Sequence, residues 1–394
     1  MNKNIKLAVA GAVLALSASA ANAGIIIPAG EWTVDISGNV NSFFSQSKST
    51  GGATVKGGLA AGGNSASVNS QGTGLLPNFL SVSGTTRQND LDVTWLISIQ
   101  PGGDVGSAGQ LGTQNNRQAY LTFGDKSWGS VKLGKDLGVF ASDAILNDMT
   151  LLGVGAGAGL GNATYGRIGT GFQYADWKSQ VAYTSPNFNG FQVTGALTQG
   201  WNATATTGAS SLSTTNRGGA NPAYEGKASY SFAMNDVTGK IWVSGIAQKI
   251  GGGTTTDDPV ATAGDIGANI NVAGFGLTGY YYGGKGIGST FQFLDGYSAA
   301  GKARDSDGGY VQATYVLPTK TKAGISWGQS NLDLASGESN TTLLKTNEML
   351  TVGLYHPLTK HLNLVAEYSH ITSENQAGAE NQTNSGSLGG IIFF

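Results

Sequence analysis

The feature that most constrains the fold is a two-residue alternation of apolar and polar side chains. In residues 223–235, Tyr224 and Tyr230 share one face, whereas Glu225 and Lys227 share the other. Side chains of a β-strand point alternately to opposite sides, so this period predicts a strand with one apolar face. A tight turn follows, and the pattern then starts again, which predicts an antiparallel hairpin.

The same unit recurs along the chain, although Trp242 and Ile246 place apolar side chains on an otherwise polar face. Short turns alternate with long loops rich in Gly, Ser, Thr and Asn, and we expect long loops such as 47–78 and 287–306 to lie in solvent. The pattern predicts sixteen strands, the sixth of which is expected to begin in a loop. They lie at 32–46, 80–89, 91–100, 115–124, 128–136, 166–184, 191–201, 223–235, 237–250, 263–274, 275–286, 307–317, 320–333, 345–357, 361–374 and 385–394.

Composition excludes several classes of protein. The 394-residue chain has no cysteine, which rules out disulfides and thiolate sites. Charged residues make up 12%, against about 25% in soluble domains. The 14 Tyr, 14 Phe and 7 Trp argue against disorder. A slightly negative net charge without a basic block argues against nucleic-acid binding.

The amino terminus has the pattern of a cleaved export signal. Lys3 and Lys6 precede a short apolar run, and residues 21–23 read Ala-Asn-Ala, a cleavage sequence. The apolar run is shorter than the ~20 residues that a membrane-spanning helix needs. We therefore predict a signal peptide at 1–23 and a mature chain at 24–394.

Two architectures fit such strands: a soluble β-sandwich and a membrane barrel. A barrel turns its apolar faces toward lipid and its polar faces toward a water-filled lumen. Strands of about ten residues, an even strand count and short turns at one rim favour the barrel. A secreted sandwich or adhesin is the alternative, and the internal repeats typical of it are not found.

The chain ends in SLGGIIFF, an unusual end for a soluble protein. Leu388, Ile392 and Phe394 share one face of this last strand. An exposed apolar terminus is unfavourable in water. We expect a lipid-facing strand that closes the barrel against the first strand.

Two further segments carry a family resemblance. The run NNRQAYLTFGDKSWGSVKLGKDLG, the run GRIGTGFQYADWKSQVAYTSPNFNGFQ and the terminal Phe394 resemble the general trimeric porins of Gram-negative outer membranes. The resemblance implies an all-β fold, a 16-stranded antiparallel transmembrane β-barrel whose third loop folds inward. In this chain that loop would be 136–165, where the alternation stops, and Phe394 would be the assembly signal.

The resemblance also implies a constriction in which basic wall residues face acidic loop residues. On the wall, Arg117 matches an arginine at the start of strand four, with Gln118 and Tyr120 alternating outward. Arg167 matches an arginine at the start of strand six. Lys132 is expected to face water between Val131 and Leu133. Lys135 precedes the loop, where it could line the pore or instead brace a loop or a neighbouring subunit.

On the loop, Asp148 matches a family aspartate and is the acid expected to face the arginines. Asp143 is a second candidate, but Ser142-Asp143 could equally cap a short helix. Asp136 could be a strand-end residue. Leu152 stands where the family has a glutamate, which predicts weak anion preference or near-neutral selectivity.

The predicted function is therefore a water-filled outer-membrane channel for passive diffusion of small hydrophilic solutes and ions. Alternatives are a porin selective for a sugar, an organic acid or an aromatic compound, and a surface adhesin or structural barrel. The resemblance implies a homotrimer in contact with outer-membrane lipid and lipopolysaccharide, inserted by the barrel-assembly machinery through its carboxy terminus. His356, His361 and His370 fit turn and strand surfaces better than a metal or hydrolase site, so we expect no cofactor, metal or catalysis.

Overall fold

A computed structural model describes residues 24–63, 67–102, 114–157, 163–201, 221–250 and 259–394. The predicted signal peptide at 1–23 lies outside these residues. The described parts contain eighteen strands, a short α-helix α1 (Ser142–Asn147) and a 3₁₀ helix (Met149–Leu152). The strands are β1 (Ile25–Ala29), β2 (Trp32–Thr50), β3 (Ser67–Gly72), β4 (Phe79–Gln88), β5 (Leu91–Pro101), β6 (Gln114–Asp125), β7 (Gly129–Leu137), β8 (Trp177–Thr184), β9 (Phe191–Thr198), β10 (Ala223–Met234), β11 (Val237–Lys249), β12 (Val260–Val272), β13 (Phe275–Lys285), β14 (Asp305–Val316), β15 (Lys322–Leu332), β16 (Leu344–Pro357), β17 (Leu362–Asn375) and β18 (Glu380–Phe393).

Sixteen of these strands, β2 and β4 to β18, form a closed antiparallel ring. The ring closes where β18 pairs with β2, from Gln382 opposite Thr50 to Phe393 opposite Asn39. This confirms the predicted 16-stranded barrel. The two short strands β1 and β3 pair with opposite ends of the long strand β2, and the sequence pattern did not predict them.

Every predicted strand corresponds to one strand of the ring. The sixth begins at Trp177, eleven residues later than the span written from the sequence, as expected of a strand with a loop at its start. Within the described ranges helical content is confined to two short elements, and neither is long and apolar enough to cross a membrane.

The outward face of the barrel is apolar. Ile241, Val243, Ile266 and Leu277 are all at least two-fifths exposed on this face. On β11 the intervening Trp242 has only 1% of its surface exposed, because it points inward and packs with residues inside the barrel. The two apolar exceptions in the alternation are therefore core residues of the lumen side, and Ile246 is buried in the same way.

The carboxy terminus completes the wall as expected. Leu388 and Ile392 are exposed on the outer face, at 64% and 42%, while Phe393 is buried on the inner face. The backbone of Phe394 exchanges two hydrogen bonds with Gly38 of β2, at 2.8 and 3.1 Å. The last residue is thus bound to the first wall strand.

Two long loops pack inside the barrel, where the sequence had suggested loops that extend into solvent. Residues 51–63 pack against the inner side of β16 to β18, where the Ala60 amide donates to Ser373 Oγ at 2.9 Å and the Ala61 amide donates to Thr383 Oγ1 at 3.0 Å. Inward-facing hydroxyls of the wall offer acceptors to this loop backbone. Residues 51–63 are therefore bound to the inner side of the wall, although only Ala60 among them is buried.

The segment 286–304 also folds inward. Ile287 and Phe293 are fully buried and Tyr297 nearly so, and all three join a cluster with Phe140 and Ile246. A polar loop would not carry such side chains unless they had a core to enter. These apolar residues were the feature of the sequence that could have indicated a buried position for this segment.

We expect Trp242→Ala to destabilise the barrel strongly. Removing a buried tryptophan leaves a cavity and should lower the free energy of unfolding by about 3–5 kcal/mol. Urea-induced unfolding of the protein in lipid vesicles measures this. Val243→Ala is the matched control, because the neighbouring side chain points outward, and an equal loss in both variants would contradict the inward placement of Trp242.

Candidate functional site

The segment between β7 and β8, residues 138–176, is the lumenal loop, described here at 138–157 and 163–176. It starts at β7 and reaches β17, which lies across the closed ring. A loop can make both contacts only by crossing the interior of the barrel. The predicted inward fold of the third loop is therefore observed.

Wall carboxylates hold the beginning of the lumenal loop. Glu225 of β10 is buried, and its Oε2 accepts hydrogen bonds from the amides of Val139 and Phe140 at 2.7 and 2.8 Å. Its Oε1 pairs with Lys178 Nζ at 2.6 Å, and both side chains are fully buried. Buried charges require such pairing and hydrogen bonding.

The far end of the loop is held in the same manner. Glu367 of β17 accepts the amides of Val154 and Gly155 on Oε2, at 2.7 and 2.9 Å. Tyr355 donates its hydroxyl to Oε1 at 2.6 Å. A Cβ added at Gly153 would stand 2.1 Å from Glu367 Oε1, so only glycine lets the backbone approach this carboxylate.

Asp143 connects the loop to the wall and does not cap α1. The residue before the helix is Ala141, in a left-handed conformation, and the helix has no side-chain cap. The Asp143 carboxylate instead pairs with Lys227 of β10 at 2.9 Å and with Lys240 of β11. Burial alone would raise the pKa of Asp143, but the two ammonium groups lower it below its ordinary value.

Asp148 lies beside Arg167, with 3.9 Å between Oδ1 and Nε. Both side chains are fully buried. Asp148 also accepts from the Thr150 amide at 3.0 Å and from the Thr150 hydroxyl, which begins the 3₁₀ helix. Complete burial raises the pKa of Asp148 above its ordinary value, against the lowering by Arg167.

Arg167 is not a wall residue at the start of strand six, and that prediction is wrong. It lies within the lumenal loop, ten residues before β8 begins. Its guanidinium donates to the carbonyl oxygens of Met349 and Ser326, each at 3.0 Å, on β16 and β15. Its side chain therefore fastens the loop to the wall.

Lys132 lies on the inner side of β7, as expected, and binds Asp136. Gln118 donates to the same carboxylate at 3.0 Å and is 5% exposed, so the expectation that Gln118 points outward is wrong. Lys135 donates to the Asn116 carbonyl at 2.8 Å. This contact joins Lys135 to the neighbouring wall strand β6.

Arg117 sits where the pairing of β5 and β6 shifts register. Its guanidinium carbon lies 5.8 Å from the centre of the Trp177 ring. It borders a cavity of about 70 Å³ between the loop and the wall. The first loop enters this cavity with Leu75, whose amide donates to the Gly153 carbonyl at 2.9 Å.

A larger cavity of about 640 Å³ lies on the other side of the lumenal loop, toward the short turns. Loop residues Met149 and Leu152 form one side of it. Amides and hydroxyls from the wall form the other side, together with Lys320 and Lys322. An open polar chamber therefore adjoins the loop.

Sequence reasoning missed the wall residues that bind the loop, namely Glu225, Lys227, Lys240 and Glu367. Each occupies an inward position of a strand, and the alternation alone marks those positions as lumenal. Nothing in the sequence pairs Asp143 with Lys227, since 84 residues separate them and the contact depends on the path of the loop.

A closed antiparallel barrel with an apolar outer face and a charged loop across its interior defines a transmembrane channel. The sequence matches the family model of the Gram-negative porin over residues 9–376. The chain belongs to that family. It is an outer-membrane porin, a channel for passive diffusion, and this confirms the predicted class, location and transport function.

Solved structures share the fold at low identity. The outer membrane channel DcaP of Acinetobacter baumannii is 18% identical with a TM-score of 0.69, and the match covers 94% of this chain and 100% of that chain. The anion-selective porin from Comamonas acidovorans is 15% identical with a TM-score of 0.59, covering 92% and 100%. Salmonella typhi OmpF, solved with daunomycin, is 13% identical with a TM-score of 0.58, covering 94% and 100%. A comparison with curated proteins finds no significant match.

We expect Glu367→Gln to loosen the far end of the lumenal loop. The substitution keeps the volume but removes the charge from three hydrogen bonds, two of them to loop amides, and charged hydrogen bonds contribute about 1.5–3 kcal/mol each. Single-channel recordings should then show more open-channel noise than the wild type. Glu374→Gln, on the same strand in an exposed pair with Lys345, should leave the noise unchanged. Equally quiet currents in Glu367→Gln would contradict the anchoring role.

Proposed function

We propose that this porin conducts with a weak preference for anions or near neutrality, and that the lumenal loop forms its constriction. Family membership supports a channel rather than an enzyme. The proposal concerns the charge that permeating ions meet inside that channel.

The observation that carries this proposal is the unequal burial within the ion pairs along the loop. Each aspartate is withdrawn from water, with 1% exposure for Asp136 and 3% for Asp143. Their partners remain accessible, with 26% for Lys132, 21% for Lys227 and 32% for Lys240. In these three contacts the water in the lumen therefore reaches the cationic member, whereas the Lys178–Glu225 and Arg167–Asp148 pairs are buried on both sides.

Such asymmetry matters because a confined aqueous path focuses the field of the charges that line it. A permeating chloride approaches the ammonium groups closely, whereas potassium reaches the carboxylates only through the protein. Selectivity in channels follows the sign of charge that lines the pore. The lumen is consequently biased toward anions, although each pair is neutral as a whole.

The loop itself adds little negative charge to the pore. Asp148, the acid expected to face the arginines, is fully buried against Arg167. Leu152 occupies the position where an acidic residue was expected and lines the larger cavity. Neither position therefore adds an accessible acid to the described part of the loop.

A substrate-selective porin is the second candidate. The inward packing of 51–63 and 286–304 beside the lumenal loop favours it, because these segments occupy lumen that a wide general pore would leave open. Saturation of the current by one solute class would distinguish this candidate from a general pore.

Arg117 and Asp148 test the charge bias directly. In a potassium chloride gradient we expect the wild-type channel to show a reversal potential that is near zero or has the sign of anion selectivity. Arg117→Gln should shift it toward cation preference, since Arg117 is half-exposed at the loop. Asp148→Asn should shift it less, because Asp148 is buried and its charge is balanced by Arg167. Strong cation selectivity of the wild type would reject the proposal.

We also propose a homotrimer. Among the similar folds is OmpT of Vibrio cholerae in a trimer form, 14% identical with a TM-score of 0.54. On the outer face near the barrel closure, β2 and β18 expose the small or polar residues Ser42, Gln46 and Gly386, as packed interfaces can. The 101–114 loop, expected to reach the neighbour, lies almost wholly outside the described residues.

Mass measurement tests the trimer. The protein extracted in mild detergent should have three times the chain mass by light scattering with detergent correction, and heating should release monomers. The single-chain mass at working concentration in mild detergent is the result that contradicts the assembly.

The remaining partners follow from the family. We infer contact with outer-membrane lipid and lipopolysaccharide through the apolar outer face, passage of small hydrophilic solutes through the lumen, and insertion by the barrel-assembly machinery through Phe394. The exposed Leu388 and Ile392 on the terminal strand support the inference, since they present an apolar carboxy-terminal face.

A further inference from the structure

We infer that Lys322 forms an anion subsite for small hydroxylated carboxylates in the 640 Å³ cavity between the lumenal loop and the short turns. The inference rests on the proposed anion bias and assigns one of its binding positions. Short turns mark the periplasmic rim in barrels of this kind, so the subsite lies on the periplasmic side of the loop.

Lys322 points into the barrel. It is the first residue of β15, and on that strand Ile325 is 50% exposed outward while Ser326 is 1% exposed on the inner side. Residues 322, 324 and 326 share the inner side by alternation. Lys322 therefore presents its ammonium group to the cavity that it lines.

Among the described residues, Lys322 differs from the other inward lysines in having no acidic partner. Lys132, Lys178, Lys227 and Lys240 each form an ion pair. Among the described residues no carboxylate oxygen lies within 4.0 Å of Lys322 Nζ. A cation inside a barrel without an anion beside it is set to attract one from solution.

An aromatic ring supports this ammonium group. Lys322 Nζ lies 5.2 Å from the centre of the Tyr355 ring, which is within cation–π range. Tyr355, which lies opposite Lys322 on the neighbouring strand β16, donates its hydroxyl to Glu367, the residue that holds the far end of the lumenal loop. The ring holds the side chain in place but leaves the ammonium donors available to a ligand.

The rest of the cavity suits hydroxyl groups. Its wall includes Asn269, Asn271, Asn363 and Thr314, whose amides and hydroxyls can donate to and accept from a polyol. Asn363 makes no side-chain hydrogen bond to another described residue. Gly276 leaves a gap between Asn271 and Thr314, since an added Cβ there would clash with both.

Size and charge together specify the ligand class. A volume of about 640 Å³ falls in the range of small-molecule sites, about 300–1,000 Å³. Of the acids that border it, Asp148 is buried and Asp236 lies on an exposed turn. A ligand whose carboxylate binds Lys322 and whose hydroxyls bind the asparagine amides would match both the charged and the polar parts of the cavity. Binding must stay weak, because a conducting site has to release its solute.

Ion-current block by gluconate tests the subsite. We expect gluconate added on the periplasmic side to reduce the potassium chloride current of the wild-type channel in a saturable way. Acetate, which lacks the hydroxyls, and glucose, which lacks the charge, should each block more weakly. Lys322→Gln should raise the half-blocking gluconate concentration about tenfold, the effect of losing a hydrogen bond to a charged group.

Two further variants control for nonspecific effects. Lys322→Arg keeps the charge and should retain the block. Lys360→Gln removes one lysine from an exposed turn at the same rim, away from the cavity. Gluconate should block this variant as strongly as the wild type. Equal block in wild type and Lys322→Gln, or block by glucose as strong as by gluconate, would overturn the subsite.

The outcome also separates the subsite from the proposed selectivity. Anion preference in a salt gradient with gluconate block unaffected by Lys322→Gln would overturn the subsite alone. Gluconate block that depends on Lys322 in a cation-selective channel would support the subsite and overturn the proposed anion bias.

Discussion

The hydrogen bonds between β18 and β2 are the constraint on which the rest of the structure depends. A sheet placed in lipid cannot leave an edge unpaired, because each backbone group without a partner there costs several kcal/mol. Pairing the last wall strand with the first removes both edges. Closure then fixes an inside and an outside, and each alternating strand must send its apolar side chains to lipid and its polar side chains to the lumen.

Inside the closed barrel the lumenal loop needs hydrogen-bond partners from the wall. A loop inside the barrel buries amides away from bulk water, and each buried amide needs an acceptor. Glu225 and Glu367 supply acceptors at opposite sides of the barrel, each for two successive amides. Arg167 does the reverse by donating to wall carbonyls. In the ion pairs of Asp136 and Asp143 the aspartate is buried, so the accessible members of those pairs are the lysines.

The alternation predicted every wall strand, because the two-residue period is a local property that burial on one face imposes directly. The two exceptions to the alternation, Trp242 and Ile246, mark positions where the interior of the barrel is packed with apolar side chains. The alternation failed where position depends on distant contacts. Arg167 was assigned to the wall by the motif around it, yet the chain stays inside the barrel until Trp177. The loop at 51–63 is rich in glycine and small residues, as solvent loops are, yet it packs inside the barrel, where hydroxyls of β17 and β18 accept its amides.

The sequence by itself determined the wall: sixteen alternating strands, the outward apolar face and a terminal strand able to close the ring. Each of these follows from residues a few positions apart. The tertiary structure alone decided which charges the lumen exposes, because Asp143, Lys227 and Lys240 meet only after the ring closes and the loop crosses it. Which member of a pair is buried depends on the surrounding packing, and packing between residues so far apart in the chain leaves no local mark on the sequence.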